Sequence, residues 1–203
     1  MCYTCNSNKN TMKKTNALLL GLLISGSVFA QTKWTKDQAH SNLTFAVTHM
    51  TVAETTGTFS DYTAEVVSPS EDFNNADVTF DAKTASVNTG NERRDGHLKS
   101  ADFFDAEKFP DIKFAGKLIK DGGKYHLRGK LTMKDVTKDV DFNVTYKGQL
   151  KTAQMTKAGF KFSGTINRFD YNLKWDKTVE AGGGLVVGQE VEITGNIELN
   201  LTK

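Results

Sequence analysis

The sequence predicts an all-β protein, an eight-stranded antiparallel barrel with one or two short helices at one end. Apolar and polar residues alternate in segment after segment beyond residue 31, which is the period of a strand with one buried and one solvated face. Glycine-containing turn signals separate these segments, and one internal stretch lacks the alternation and suits short helices. A closed barrel is favoured because closure leaves no exposed strand edge, and a sandwich of two sheets is the alternative.

The first 30 residues differ from the rest and have the features of a secretory signal peptide. Met12-Lys13-Lys14 forms a basic start, residues 17–28 are almost all apolar, and Val28-Phe29-Ala30 places small residues where a signal peptidase cleaves. The apolar run is shorter than the ~20 residues that a membrane-spanning helix needs. We therefore expect residues 1–30 to be removed and the protein to reach the periplasm or the medium. Met12 is a candidate for the true start, with residues 1–11 upstream of it.

Cysteine and charge restrict the chemistry of the expected mature domain, residues 31–203. Cys2 and Cys5 both lie in the leader, so the C-x-x-C spacing is more simply part of the removed segment than a redox or zinc half-site. The leader holds three of the 26 basic residues, which leaves 23 against 24 acidic residues. This balance argues against a nucleic-acid-binding protein, which would carry a basic excess.

Eight segments of the mature chain are predicted strands. Six alternate clearly, and residues 55–67 and 76–87 are rich in β-forming residues with weaker alternation. The clear segments are residues 43–47, 112–118, 125–133, 140–146, 160–166 and 191–202. About eight strands of this length suit a barrel that encloses one small ligand.

Turns, glycines and a helical stretch complete the predicted architecture. Asp121-Gly122-Gly123 is a strong hairpin signal, whereas Lys147-Gly148 and Ala158-Gly159 are weaker ones. Residues 88–109 have no period of two, and Ser100 and Asp102 suit helix starts, so one or two short helices are expected across an end of the sheet. A glycine on the inward face of several strands indicates a curled sheet or a closely approaching ligand. These glycines are Gly116, Gly129, Gly164 and Gly195.

Four sequence blocks, in order, cover nearly all of residues 34–201 and resemble the YceI-like family. The first block is Trp34-x-x-Asp37-x-x-His40-Ser41-x-Leu43-x-Phe45, followed by Val47-Thr48-His49 and Gly57-x-Phe59. The second is Arg94-Asp95-Gly96-His97-Leu98-Lys99-Ser100-Ala101-Asp102-Phe103-Phe104, ending in Phe109-Pro110-x-Ile112-x-Phe114. The third is Leu131-Thr132-Met133-Lys134-Asp135-Val136-Thr137-Lys138-x-Val140, and the last is Val187-Gly188-x-Glu190-Val191-x-Ile193. The resemblance implies an exported, lipocalin-like barrel whose interior binds a polyisoprenoid chain, without established catalysis. Asp135 and Met50 depart from the family pattern, which suggests a differently shaped turn and an altered pocket mouth.

Isoprenoid binding needs a deep apolar tunnel and a polar group at its mouth. Phenylalanines are the candidates for the tunnel wall, and the alternative is that most of them are ordinary core. Arg94 and His97 are the candidates for contact with a polar head, and a structural network of Arg94, Asp95 and His97 is the alternative. The predicted ligand-binding residues are Phe45, His49, Phe59, Arg94, His97, Phe103, Phe104, Phe114, Phe142, Phe162 and Trp175.

Other site chemistries have little support in the sequence. The four histidines contain no tightly spaced pair, the serines lack a nucleophile elbow, and Gly182-Gly183-Gly184 is not followed by the Lys-Ser/Thr of a phosphate loop. No catalytic residue, metal or cofactor is therefore expected. We interpret residues 177–188 as a glycine-rich hairpin or portal loop, with Trp175 gating the opening or packing beside it.

These observations favour a binding protein that encloses an isoprenoid-type lipid, such as a quinone or a polyprenyl phosphate, for transport, storage or sequestration. The alternative is a stress-response or interaction protein whose barrel is filled by its own side chains, and an enzyme acting on a bound lipid has the least support. The expected partner is the lipid, with no nucleic acid, no stable membrane insertion, and a monomeric or homodimeric state.

Overall fold

The computed structural model describes residues 1–3, 31–178 and 184–202. The predicted signal peptide and cleavage site thus lie almost entirely outside the described residues, as do Gly182 and Gly183 of the predicted portal loop. Over the described residues, no helix has both the length and the apolarity needed to cross a bilayer.

The described chain is built from strands that pair antiparallel throughout. The strands are β1 (Thr32–Lys36), β2 (Asn42–His49), β3 (Ala53–Phe59), β4 (Tyr62–Ser68), β5 (Ala76–Lys83), β6 (Val87–Asn88), β7 (Asp111–Asp121), β8 (Lys124–Met133), β9 (Val136–Lys151), β10 (Thr156–Asn167) and β11 (Val187–Leu201). All eight predicted segments fall on these strands, and β1 is a strand that the sequence did not predict.

The strands form a closed eight-stranded antiparallel barrel, which confirms the predicted fold class. The ring runs β1-β4-β5-β7-β8-β9-β10-β11, and pairing of β1 with β11 closes it. Strand β11 pairs with β1 at Leu199–Leu201 and with β2 over its earlier part. Strands β2, β3 and β6 therefore continue the sheet from the earlier part of β11, next to the closed ring. Two of the predicted strands are interrupted accordingly, at Ser60–Asp61 and at the short 3-10 turn Thr84–Ser86.

One α-helix, α1 (Glu92–Lys99), interrupts the strands within the predicted helical stretch. The Asn91 side chain caps it by accepting a hydrogen bond from the Arg94 backbone N–H at 3.0 Å. The prediction that Ser100 or Asp102 begins a helix is wrong. Ser100 ends α1, where its backbone N–H and its hydroxyl both donate to the carbonyl of His97.

The strong turn signal is confirmed and the two weaker ones are wrong. Gly122 and Gly123 connect β7 to β8 with φ of 54° and 84°, values that favour glycine. Gly148 and Gly159 lie inside β9 and β10, where they face each other in register. The pairing register shifts next to Gly159, and Gly148 has φ 113°, so this glycine pair forms an irregularity within two long strands.

The barrel has two different ends, which we call the floor and the mouth. At the floor, a buried cluster includes Trp34, Phe73, Phe160 and Leu199. The mouth lies at the opposite end, where α1 and the chain up to Pro110 connect β6 to β7. Because β7 starts at Asp111 and β11 starts at Val187 on this side, the connections before both strands surround the mouth.

Candidate functional site

The barrel encloses an apolar cavity of about 210 Å³. Every strand except β1 and β6 contributes to its wall, with aliphatic residues such as Leu118, Leu131 and Ile193 between the aromatic rings. Over the described residues, the surface facing the cavity is entirely apolar. All seven predicted wall phenylalanines line it: Phe45, Phe59, Phe103, Phe104, Phe114, Phe142 and Phe162. Five of them lie on strands, where alternation points them inward, whereas Phe103 and Phe104 lie in the connection after α1.

Aromatic packing closes the cavity at the floor. Phe73 is fully buried in the connection between β4 and β5, and its ring centroid lies 5.0 Å from those of Trp34 and Phe160. Tyr146 stacks on Phe160 at 5.0 Å, and the hydroxyl of Tyr125 donates to the carbonyl of Asp72 at 2.7 Å. These residues come from four strands and one connection, so the cavity ends blindly there.

The mouth combines aromatic rings with a histidine–carboxylate pair. His97 on α1 packs edge-on against Phe103 and Trp175, with ring centroids 5.0 and 5.1 Å apart. Its Nε2 lies 2.9 Å from Oδ2 of Asp102, and its side chain is 39% exposed. Phe103 and the neighbouring Leu98 face the cavity, whereas His97 and Trp175 stand just outside its wall. His97 is thus within reach of both solvent and the cavity opening.

Arg94 contacts the loop before α1 instead of the cavity. Its Nε and Nη2 donate to the side-chain and backbone oxygens of Thr89 at 2.7 and 2.9 Å. The Asp95 carboxylate accepts from the N–H and the hydroxyl of the same threonine. Arg94 and Asp95 thus form a structural network with Thr89, which is the alternative that the sequence analysis gave to contact with a polar head group.

His49 stands at the end of β2 and does not line the cavity. It pairs in register with Val187 of β11 and Ala53 of β3. Met50, the next residue, begins the tight turn to β3 with φ 49° and is 45% exposed. Met50 therefore lies on the outer rim of the barrel.

Arg168 is the main mouth residue that the sequence reasoning missed. It is only 3% exposed and lines the cavity where β10 ends. Its guanidinium donates to the backbone carbonyls of Leu173 and Trp175 on one side, and of Val187 and Gly188 on the other. One side chain thereby joins the two ends of the connection between β10 and β11.

The sequence around Arg168 gives only a weak indication that this side chain is buried at the mouth. The alternation of β10 stops after Ile166, and Asn167 then accepts a hydrogen bond from the Phe169 N–H to cap a 3-10 turn. An arginine in such a position is usually exposed.

Burial lowers the pKa of the Arg168 guanidinium, and the nearby Asp176 opposes that shift. The group stays charged because arginine begins from a very high pKa.

A second polar cluster lies at the corner between β1 and β2, away from the cavity. Asp37, His40 and Glu198 come close enough to hold a metal ion. The Lys157 ammonium lies between the two carboxylates, however, 2.8 Å from Asp37 and 2.5 Å from Glu198. Hydrogen bonding from Lys157, with a further bond from Asn200, holds the pKa of Asp37 well below its usual range. We interpret this cluster as an ion-pair network that attaches the corner to β10 and β11.

Comparison with known proteins gives consistent matches along nearly the whole barrel. Residues 34–199 match the model of a family described as YceI-like domain. A UPF0312 protein of Staphylococcus aureus strain MSSA476 is 34% identical over 176 residues, which are 85% of this chain and 99% of that protein.

Solved structures with the same architecture include three from different bacteria. Burkholderia cenocepacia BcnA superposes with a TM-score of 0.68 at 25% identity, over 80% of this chain and 98% of that one. The Campylobacter jejuni YCEI protein does so with a TM-score of 0.63 at 31% identity, over 77% and 90%. A polyisoprenoid binding domain from Saccharophagus degradans, at 16% identity and a TM-score of 0.61 over 83% and 98%, shares the fold.

Proposed function

This chain belongs to the YceI-like family, and we propose that it is an exported binding protein that encloses one isoprenoid-type lipid, a quinone or a polyprenyl phosphate. The protein would carry, store or sequester this lipid in the periplasm, or outside the cell. The observation that supports the proposal most strongly is the blind, wholly apolar cavity between the mouth and the floor. The shared fold with a polyisoprenoid binding domain adds to it.

The apolar wall can supply the binding free energy without a specific head-group contact. Burying one five-carbon isoprene unit contributes up to ~4 kcal/mol, at about 0.8 kcal/mol for each CH₂-sized group. Ordering the ligand and the mouth costs several kcal/mol, so a few buried units suffice for useful affinity. This energy is nearly independent of the head group, which then chiefly sets the orientation of the lipid.

The head group is expected at the mouth, with the tail pointing to the floor. A polar oxygen near the floor would find no hydrogen-bond partner in the apolar wall, at a cost of roughly 2–7 kcal/mol. At the mouth, His97 is half-exposed and close to the cavity opening. Arg94 is already bonded to Thr89, so we assign head-group contact to His97 rather than to Arg94.

The cavity counts against the alternative of a barrel filled by its own side chains. Such a protein would pack its inward residues to the density of an ordinary core, without an internal space of this kind. For the enzyme alternative, the residues at the cavity offer an apolar wall, a histidine–aspartate pair and a buried arginine that is bonded to backbone carbonyls. We propose enclosure alone as the activity.

Tryptophan fluorescence tests both the binding and the orientation, because the chain has two tryptophans, one at each end of the cavity. Quinones quench indole emission at short range. We expect a long-tailed quinone to quench the emission of the wild-type protein, and to quench that of Trp175→Phe, which keeps only Trp34 at the floor, much less. Menadione, a quinone without a tail, is the control for collisional quenching. Equal quenching of both proteins would contradict the orientation, and no saturable quenching of either would contradict the proposed function.

A further inference from the structure

Four phenylalanines of the cavity wall each lie against a glycine at a place where a side chain would not fit. A Cβ atom built on Gly57, Gly164 or Gly195 would fall less than 3.0 Å from the ring of Phe45, Phe142 or Phe162, respectively. The ring of Phe114 stands in the same relation to Gly116 and Gly129, which pair with each other in register. Each glycine therefore provides a niche that a phenylalanine ring occupies.

All four rings lean along the wall in the same sense around the barrel. Phe114 on β7 reaches over a glycine of β8, Phe142 on β9 over one of β10, Phe162 on β10 over one of β11, and Phe45 on β2 over one of β3. In the sheet order β7-β8-β9-β10-β11-β2-β3, every step goes in one direction. The rings consequently lie along the circumference and leave the axis of the barrel free.

The direction of these rings matters because the interior of an eight-stranded barrel is narrow. Such an interior is just wide enough for inward side chains to fill it, or to hold one small ligand. Large rings pointing to the axis would fill this barrel. The same rings placed over glycines give apolar surface to the wall without occupying the centre.

We propose that these phenylalanine–glycine pairs set the bore of the cavity and restrict its ligand to a single flexible chain that lies along the barrel axis. This inference rests on the proposed function for the identity of the ligand, but the effect on the bore is a property of the wall itself. The glycines are thus specificity-determining residues, although they make no polar contact with the lipid.

The pairs lie at different depths, which gives the inference a measurable consequence. Phe162 is two residues from the floor residue Phe160 on the same strand, so its pair with Gly195 lies deep in the cavity. Phe45 and Gly57 are near the mouth, because Phe45 packs on Phe59, which packs on Phe104. A ring displaced from Gly195 would shorten the cavity from below while leaving its upper part open.

The test is lipid uptake by Gly195→Ala, with Gly159→Ala as the control. Gly159 lies on β10, where an added Cβ would stand 3.2 Å from the Cβ of Lys147 and would meet no phenylalanine ring. The delipidated proteins are incubated with geranylgeraniol, a short polyprenol, or solanesol, a long one, in detergent micelles, and binding is measured by native mass spectrometry. For Gly195→Ala we expect solanesol affinity to fall about tenfold or more and geranylgeraniol affinity to change by less than about threefold. The control should match the wild type for both lipids.

A compensating variant separates the bore from general damage to the fold. Gly195→Ala combined with Phe162→Leu removes the displaced ring, so solanesol binding should return to within about threefold of the wild type. Solanesol binding by Gly195→Ala equal to that of the control would overturn the inference while leaving the proposed function intact, as would a double variant that folds but stays unable to bind.

If the wild-type protein takes up neither polyprenol, the proposed function is refuted. A crystal structure of Gly195→Ala still tests the effect of the glycine on the width of the cavity. A Phe162 ring moved towards the barrel axis would support the inference, and a ring left in its wild-type position would overturn it. If Gly195→Ala alone does not fold, the double variant provides the structure, with the cavity open at that level as the expected result.

Discussion

At the residue scale, Arg168 makes the strongest stability prediction. Arg168→Met would leave the backbone carbonyls of two chain segments without their donor inside the barrel wall. We expect the free energy of unfolding to fall by about 2–5 kcal/mol, because buried polar groups that lose a charged partner keep their desolvation cost. Urea unfolding measures this loss.

The control for Arg168 is Arg128 on the outer face of β8. Its Nε donates to Asp141 at 2.9 Å, and both side chains are 47% exposed. Arg128→Met should change the free energy of unfolding by no more than about 1 kcal/mol, as is usual for exposed ion pairs. Similar losses in the two variants would contradict the role assigned to Arg168.

The same scale shows what residue patterns can and cannot predict about the site. The wall phenylalanines on strands were predictable because strand alternation fixes which side chains point inward, whereas Phe103 and Phe104 lie in a connection that has no such period. The hydrogen-bond partners of Arg94 and Arg168 could not be predicted in this way. Both side chains donate to backbone carbonyls, and a sequence does not show which carbonyls lack another donor. His97 was singled out from its block in the sequence, and the structure places it beside Trp175, which is far from it along the chain.

At the scale of elements, the corner between β1 and β2 makes a prediction about pH. Asp37 is faced by Lys157, His40, Glu198 and Asn200, and hydrogen bonding from Lys157 is the main cause of its lowered pKa. A carboxyl whose folded-state pKa lies below the unfolded value of 3.8 stabilises the fold above that pH, and this stability is lost as the pH falls through the folded-state pKa.

We therefore expect Asp37→Asn to lower the melting temperature at about pH 6, and the difference from the wild type to shrink as the pH falls below about 4. Thermal unfolding followed by circular dichroism measures both proteins across this range. Thr35→Val, on the preceding strand and without a titrating group, should show a difference that is nearly constant with pH. A difference for Asp37→Asn that grows as the pH falls would contradict the assignment.

Strands were easier to predict than the features that interrupt them. The pattern of residues 55–67 continues through Ser60–Asp61, so alternation alone gave one strand where the structure has two. Glycine likewise has two uses that local sequence does not distinguish. Gly122 and Gly123 form a turn, whereas Gly148 and Gly159 face each other in register inside two long strands. The distinction depends on which residue lies across the sheet.

At the scale of the whole molecule, the closure of the barrel depends on the one strand that was not predicted. Strand β1 is only five residues long, and it pairs with β4 and with the end of β11, so that Trp34 lies opposite Leu201. No local pattern encodes a contact between residues so distant in the chain. The closed barrel was predictable only from the general cost of exposed strand edges.

We propose that this barrel encloses one isoprenoid-type lipid, and mass spectrometry of the protein purified from the cells that produce it tests this proposal most directly. Native spectra give the mass of the intact complex, and organic extraction identifies the lipid. We expect one isoprenoid per chain, released on unfolding, and a mature chain that begins near Gln31. A protein that is empty on isolation and also takes up neither an added quinone nor a polyprenyl phosphate would contradict the account.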